Sequence, residues 1–176
     1  MMPQRSRLDA IHSRIDTKQS LEKKLQIWRM HGQKIVFTNG CFDILHRGHA
    51  EYLAKAAELG NVLIVGVNSD ASVRRLGKNE SRPLQDEQSR AFIIASLDVV
   101  EAAIIFEEDT PIELIKFIQP NVLVKGADYD ETVTDPKNKK YIVGSEVVKA
   151  NNGIVRTIEI TEGFSTTAIE EKIRKG

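Results

Sequence analysis

Short apolar runs recur along this chain, each separated from the next by a stretch of helical composition. That rhythm restricts the fold more than any other feature. The run "VLIVGV" at residues 62–67 contains no polar residue, so it has no side to offer to water. A strand buried on both faces belongs inside a parallel sheet whose two sides are covered by helices. Runs at 34–38, 99–106, 122–124 and 154–160 read as further strands, the second of these being rich in alanine. Between them 48–59, 86–97, 110–118 and 145–150 read as helices, and 166–174 as a terminal one. Strands and helices in alternation imply an α/β fold with a mostly parallel open sheet and helices on both faces.

The boundaries carry their own signals. Gly60 stops the 48–59 helix, Thr110 is placed to cap the next-but-one, and Pro111 suits its first turn. The 86–97 helix is expected to turn Phe92, Ile93 and Leu97 inward. Residues 1–32 differ from the rest. Leu8, Ile11 and Ile15 share one face of a first helix, and Leu21, Leu25 and Trp28 repeat the spacing in a second. Thr17 or Ser20 caps that second helix and Gly32 ends it. The expectation is an N-terminal helical extension over 1–32, packed on the sheet or on a partner subunit, ahead of a domain at 33–176. Two polar loops, 69–85 and 128–144, are long enough to suggest a functional role.

Charge narrows the partners. Lys plus Arg total 25 and Asp plus Glu total 25, a balance that argues against a general nucleic-acid binder. It leaves room for a small phosphorylated ligand, which needs only a local cationic site. One cysteine, Cys41, permits no internal disulfide and points to a reducing, cytoplasmic setting. The first residues lack the apolar core of a secretion signal. No apolar run approaches the roughly 20 residues of a membrane helix, so no membrane partner is expected.

The densest chemistry is "FTNGCFDILHRGH", from Phe37 to His49. It follows a strand, and open parallel sheets bind ligands beyond the C-terminal ends of their strands. Gly40 permits a sharp turn there. A helix start near His46 to His49 offers N–H groups and positive potential to an anion. The two imidazoles add donors, and Gly48 between them lets a phosphate come close. Two other readings stay open on these residues: zinc held by His46, His49 and Cys41, and a polar helix start with no ligand. The zinc reading lacks the paired cysteines or further spaced histidine usual for such sites.

"HRGH" resembles the HxGH signature of the nucleotidyltransferase superfamily, the cytidylyltransferase-like enzymes. The wider stretch is similar to the adenylyltransferases that make ADP-heptose. The likeness continues through "LIVGVNSDASVRRLGK", "RPLQDEQSR", "LVKGADY", "VGSEVV" and "EGFSTTAI". It implies a Rossmann-like sheet. It also implies attack by D-glycero-β-D-manno-heptose 1-phosphate on the α-phosphate of ATP, giving ADP-heptose and pyrophosphate for lipopolysaccharide or another surface glycan. Mg²⁺, held mainly by the ATP phosphates, is the implied cofactor, with no metal ligands among the side chains. Family members are commonly dimers, which implies a homodimer.

The same resemblance implies residue roles. His46 and His49 donate to triphosphate oxygens, and Lys78 on the first long loop is a third catalytic candidate. Thr38, Asn39, Gly40, Cys41, Phe42 and Gly48 border the nucleotide. Arg90, Lys125, Gly126, Phe164, Ser165, Thr166 and Thr167 join them. Asp43, Arg82 and Asp128 are the candidates for the sugar phosphate. Residue chemistry offers plainer accounts for several: a turn at 126–128, an i to i+4 pair of Arg90 with Asp86, and a core role for Phe164. Glu170 and Glu171 stand where some superfamily members carry a basic residue. The alternative activities are a cytidylyltransferase acting on a polyol phosphate such as glycerol 3-phosphate, and a nucleotide-binding regulator without catalysis.

Overall fold

A computed structural model describes residues 6–77, 82–159, 163–164 and 166–175. The helices are α1 (Arg7–His12), α2 (Lys18–Met30), α3 (Arg47–Ala57), α4 (Asp70–Arg75), α5 (Glu87–Ala95), α6 (Ile112–Ile118), α7 (Ser145–Ala150) and α8 (Thr166–Lys175). The strands are β1 (Ile15–Asp16), β2 (Ile35–Gly40), β3 (Val62–Asn68), β4 (Ala102–Phe106), β5 (Val122–Gly126) and β6 (Ile154–Ile158). All six strands are parallel, in the order β1-β4-β3-β2-β5-β6. The arrangement is a Rossmann-like α/β sheet, parallel as the alternating pattern implies and of the type that the family resemblance implies.

Strand periodicity divides the core in two. Successive side chains point to opposite faces, so Ile35 and Phe37 of β2 join Leu21, Leu25, Leu114, Ile115, Ile118 and Val148 on one side. Val36 joins Tyr52, Leu53, Ala56, Ala91, Ile94 and Ala95 on the other. Every residue of β3 is buried, which is why its sequence carries no alternation.

Several local expectations are corrected. Ile15 leaves the first helix, which ends at His12, and pairs with Ala103 as part of an edge strand. A two-residue strand is too short to show periodicity. Ser69 accepts from Ser72 N and opens α4 inside what reads as a loop. The inward face of α5 is Ala91, Ile94 and Ala95 with Arg90, while Phe92, Ile93 and Leu97 are half-buried. Pro111, not Thr110, stands at the N-cap of α6. Thr17 does cap α2, in a reciprocal pairing with Ser20. Leu21 and Leu25 of that helix are 0% and 1% exposed, so α2 covers this chain's own sheet.

Candidate active site

The sheet order changes direction at β2: β3 and β4 lie to one side of it, β5 and β6 to the other. Ligand clefts form at such points, beyond the strand C-termini. A cavity of 670 Å³ lies there. It is lined from β2 and α3 by Asn39, Gly40, Cys41, Phe42, His46, Gly48, His49 and Tyr52. From β5 and beyond come Lys125, Gly126, Asp128 and Tyr129, with Phe164 and Thr166 from the α8 entrance. The β3 and β4 side adds Asn68, Leu76, Asp109, Thr110 and Pro111. The topology therefore gathers most of the expected site from segments far apart in the chain.

His46 is the N-cap of α3 and makes no capping bond with its side chain. Its ring stacks on that of His49, centroids 3.9 Å apart and 23° from parallel. Phe42, held at φ +50°, meets the His49 ring edge-on at 5.4 Å. Burial lowers the pKa of His46. Burial first, and then the neighbouring His46, lowers that of His49 to about 4, with the Ile44 backbone opposing. Both rings are thus neutral at pH 7. Among the described residues, Nδ1 of each is buried with no hydrogen-bond partner. The neutral His46 ring has one donor to give, and the cavity it lines is where a ligand can take it. A Cβ on Gly48 would stand 3.1 Å from His46 Cε1 and Nδ1 and 3.2 Å from Phe164 Cβ, which explains the glycine there. Arg47 lies over the Phe164 ring at 5.4 Å and binds Glu51.

Lys125 is 9% exposed and donates to Asn39 Oδ1 at 2.5 Å. Burial lowers its pKa to about 8, against the opposing fields of Asp128 and Cys41. Its ammonium also lies 5.6 Å from the Tyr129 ring centroid.

Four expected ligand residues are committed to the protein instead. Thr38 is fully buried, and its hydroxyl shares a 2.8 Å hydrogen bond with Tyr52. Asp43 is 3% exposed and accepts from Leu84 N, Gln85 N and Arg82 Nη1. It anchors the segment after the first long loop and has no free face for sugar. Arg82 donates to Asp43 and, at 2.5 Å, to Glu170 of α8, tying that segment to the terminal helix. Arg90 is 0% exposed. It donates to Gln85 O, Cys41 O and Asp70, so it braces the β2 turn from beneath and pairs with Asp70, not Asp86. It is absent from the cavity lining. Lys78 and Ser165 lie outside the described residues, as does the side chain of Thr167.

Sequence reasoning missed Tyr52, Asn68, Asp109, Thr110 and Tyr129 as cavity residues. Asn68 ends a strand, and the strand-end rule that selects Asn39 selects it too. The others depend on how α3, α6 and the loop after β5 pack. Among the described residues, no three His, Cys, Asp or Glu side chains come together as a metal site, and no helix is long and apolar enough to cross a membrane.

A family model described as cytidylyltransferase-like matches residues 37–172. "Bifunctional protein HldE" of Helicobacter pylori (strain Shi470) is 54% identical over 155 residues, covering 88% of this chain and 31% of that protein. The protein of the same name from a Nitratiruptor species is 56% identical over 143 residues, covering 81% and 28%. The chain thus spans 31% or less of the length of these curated relatives. Among solved structures, the lipopolysaccharide core biosynthesis protein from Thermoplasma volcanium GSS1 superposes with a TM-score of 0.56 at 30% identity, over 74% of this chain and 98% of that one. A pantoate-beta-alanine ligase from Francisella tularensis, TM-score 0.59 at 18% identity over 91% and 76%, shares the fold.

Proposed function

The chain belongs to the cytidylyltransferase-like family, and on that premise we propose that it is an adenylyltransferase. It joins ATP to D-glycero-β-D-manno-heptose 1-phosphate, releasing pyrophosphate and forming ADP-heptose for a surface glycan. The observation that carries the reading is the stacked, neutral His46 and His49 pair at the start of α3, facing a cavity with Gly48 at its closest approach. The heptose acceptor is supported by the identity to the HldE proteins and by the likeness to the Thermoplasma lipopolysaccharide core biosynthesis protein.

In this reaction a phosphate oxygen of the sugar attacks the α-phosphorus as the bond to the bridging oxygen of pyrophosphate breaks. The attacking oxygen is already anionic, so the protein supplies no nucleophile and removes no proton. Its work is positioning and charge stabilisation. The His46 ring and the opening turn of α3 donate to triphosphate oxygens. Lys125 adds a cation from β5 and keeps Asn39 fixed beside it. Asp128 offers a carboxylate to a substrate hydroxyl, and Phe164 a face to the base. Mg²⁺ would be held largely by phosphate oxygens and water; among the described residues, Asp109 and Asp128 are the carboxylates that line the cavity. When bound, the ion neutralises triphosphate charge. The family resemblance also supports a cytoplasmic homodimer.

The test is pyrophosphate release from a panel of nucleotides and phosphorylated acceptors. Turnover with ATP and heptose 1-phosphate, lost in His46→Ala with the melting temperature kept, is the expected result. Turnover with CTP and glycerol 3-phosphate in its place would overturn the assignment. ATP binding with no pyrophosphate release from any acceptor would point to a regulator.

A further inference from the structure

The two asparagines that line the cavity are held in opposite senses. Lys125 Nζ occupies Asn39 Oδ1, so the atom Asn39 has left is the Nδ2 donor. Asn68 is the reverse. Its Nδ2 donates to Ser72 Oγ at 3.0 Å, and the Ser72 hydroxyl donates in turn to the Glu108 carbonyl at 3.0 Å. A serine hydroxyl has a single proton, so towards Asn68 it can only accept. The amide is thereby fixed with its oxygen as the atom left over. Asn68 is 4% exposed and Ser72 0%, so water does not compete for this relay. The relay also ties Asn68 to the backbone just before Asp109 and Thr110, its neighbours in the cavity lining.

The cavity is therefore chemically divided. Around β2, α3 and β5 donors predominate: Asn39 Nδ2, the His46 ring, the start of α3 and Lys125, with the Asp128 carboxylate at their margin. At the β3 and β4 end stand acceptors: Asn68 Oδ1 and the Asp109 carboxylate, itself braced by Arg75. Phosphate oxygens at neutral pH only accept, so they suit the first set and are repelled by the second. Hydroxyls donate, and suit the second.

We propose that Asn68, locked by Ser72, is a specificity-determining residue that accepts a hydrogen bond from a free hydroxyl of the phosphorylated acceptor. This rests on the proposed transferase reading and deepens it. The acceptor's phosphate points at the histidine pair and its polyhydroxylated body reaches the Asn68 wall. Ser72 is a positioning residue that acts through Asn68.

Steady-state kinetics with ATP and the sugar 1-phosphate varied separately test this, using wild type, Asn68→Ala and Ser72→Ala. Losing one hydrogen bond to a neutral group corresponds to about a tenfold fall in kcat/KM for the acceptor, with KM for ATP changed less than about twofold. Ser72→Ala gives a smaller loss in the same parameter. A series of monodeoxy acceptors identifies the partner: one analogue is about tenfold poorer than the parent with wild type, and equal to it with Asn68→Ala. The inference is overturned if ATP suffers as much as the acceptor, or if every deoxy analogue keeps its penalty in the variant. Should Asn68→Ala fail to fold, Ser72→Ala decides: a fall in kcat/KM for the acceptor with KM for ATP kept supports the inference, and unchanged acceptor parameters overturn it. If wild type itself releases no pyrophosphate with any sugar 1-phosphate, the transferase reading falls and this one with it. If wild type turns over and Asn68→Ala leaves the acceptor parameters untouched, only the Asn68 assignment falls.

Discussion

Substituting Gly48 by alanine should separate activity from stability. The added methyl would meet His46 Cε1 and Nδ1 at 3.1 Å and Phe164 Cβ at 3.2 Å, so a neighbour must yield by a few tenths of an ångström. The fold can absorb that, because His46 is a ring at a helix start and is only partly buried. Alanine also favours the helix over glycine by about 0.5–1 kcal/mol, which offsets the local crowding. Catalysis has no such compensation. A misplacement of about 1 Å in a reacting array costs roughly 100-fold. A shift of a few tenths, together with a methyl in the phosphate cradle, should lower kcat/KM for ATP by about 10- to 100-fold. Pyrophosphate release with the acceptor saturating measures that, and a thermal melt should show a Tm within about 2 °C of wild type. Wild-type turnover in Gly48→Ala would refute the cradle. A Tm drop in proportion to the lost activity would show that Gly48 serves the fold instead.

Other consequences follow from the same geometry. With His49 held at about 4, a triphosphate bound beside it should raise its pKa and take up protons. Calorimetry near pH 6.5 in buffers of different ionisation enthalpy should register that uptake, and His49→Asn should reduce it. The unfolded chain has an ordinary histidine there, so it binds more protons than the folded one between about pH 6.5 and 4. Stability should decline as the pH is lowered across that window, less steeply in His49→Asn. Lys125, depressed to about 8, loses its charge as pH rises through that value, so kcat/KM for ATP should decline on the alkaline side. In Lys125→Met that limb should be flat at a reduced level. Leu25, 1% exposed in the core beside the sheet, should cost about 2–5 kcal/mol on change to alanine, read by urea unfolding. A loss below about 1 kcal/mol would mean that α2 is a detachable appendage.

Much of the fold was legible because burial leaves a mark on composition. A strand covered on both sides is mostly apolar, and 62–67 carries no polar residue. The position of the two histidines was legible for a related reason: they follow a strand and open a helix, a junction that packing then places on the cavity. Arg90, Arg82 and Asp43 were misread because a charge in a loop-rich motif looks alike whether it faces a ligand or a buried partner. Arg90 is paired with a backbone carbonyl 49 residues away, and no local pattern encodes that. The edge strand at Ile15 was hidden by its length, and α4 by its position within a polar stretch.

Order along the chain thus set the α/β class, the position of the histidine pair after a strand and the helix that carries Leu21 and Leu25, since these depend on neighbours within a turn or a strand. Which polar side chains face the cavity was decided only by tertiary packing. Ser72, committed to Glu108 across 36 residues, is what turns the Asn68 amide one way, while Lys125, 86 residues from Asn39, turns the other asparagine the opposite way. A hydrogen bond spends its donor on whichever group folding brings near, and what remains for the ligand is known only once those partners are in place.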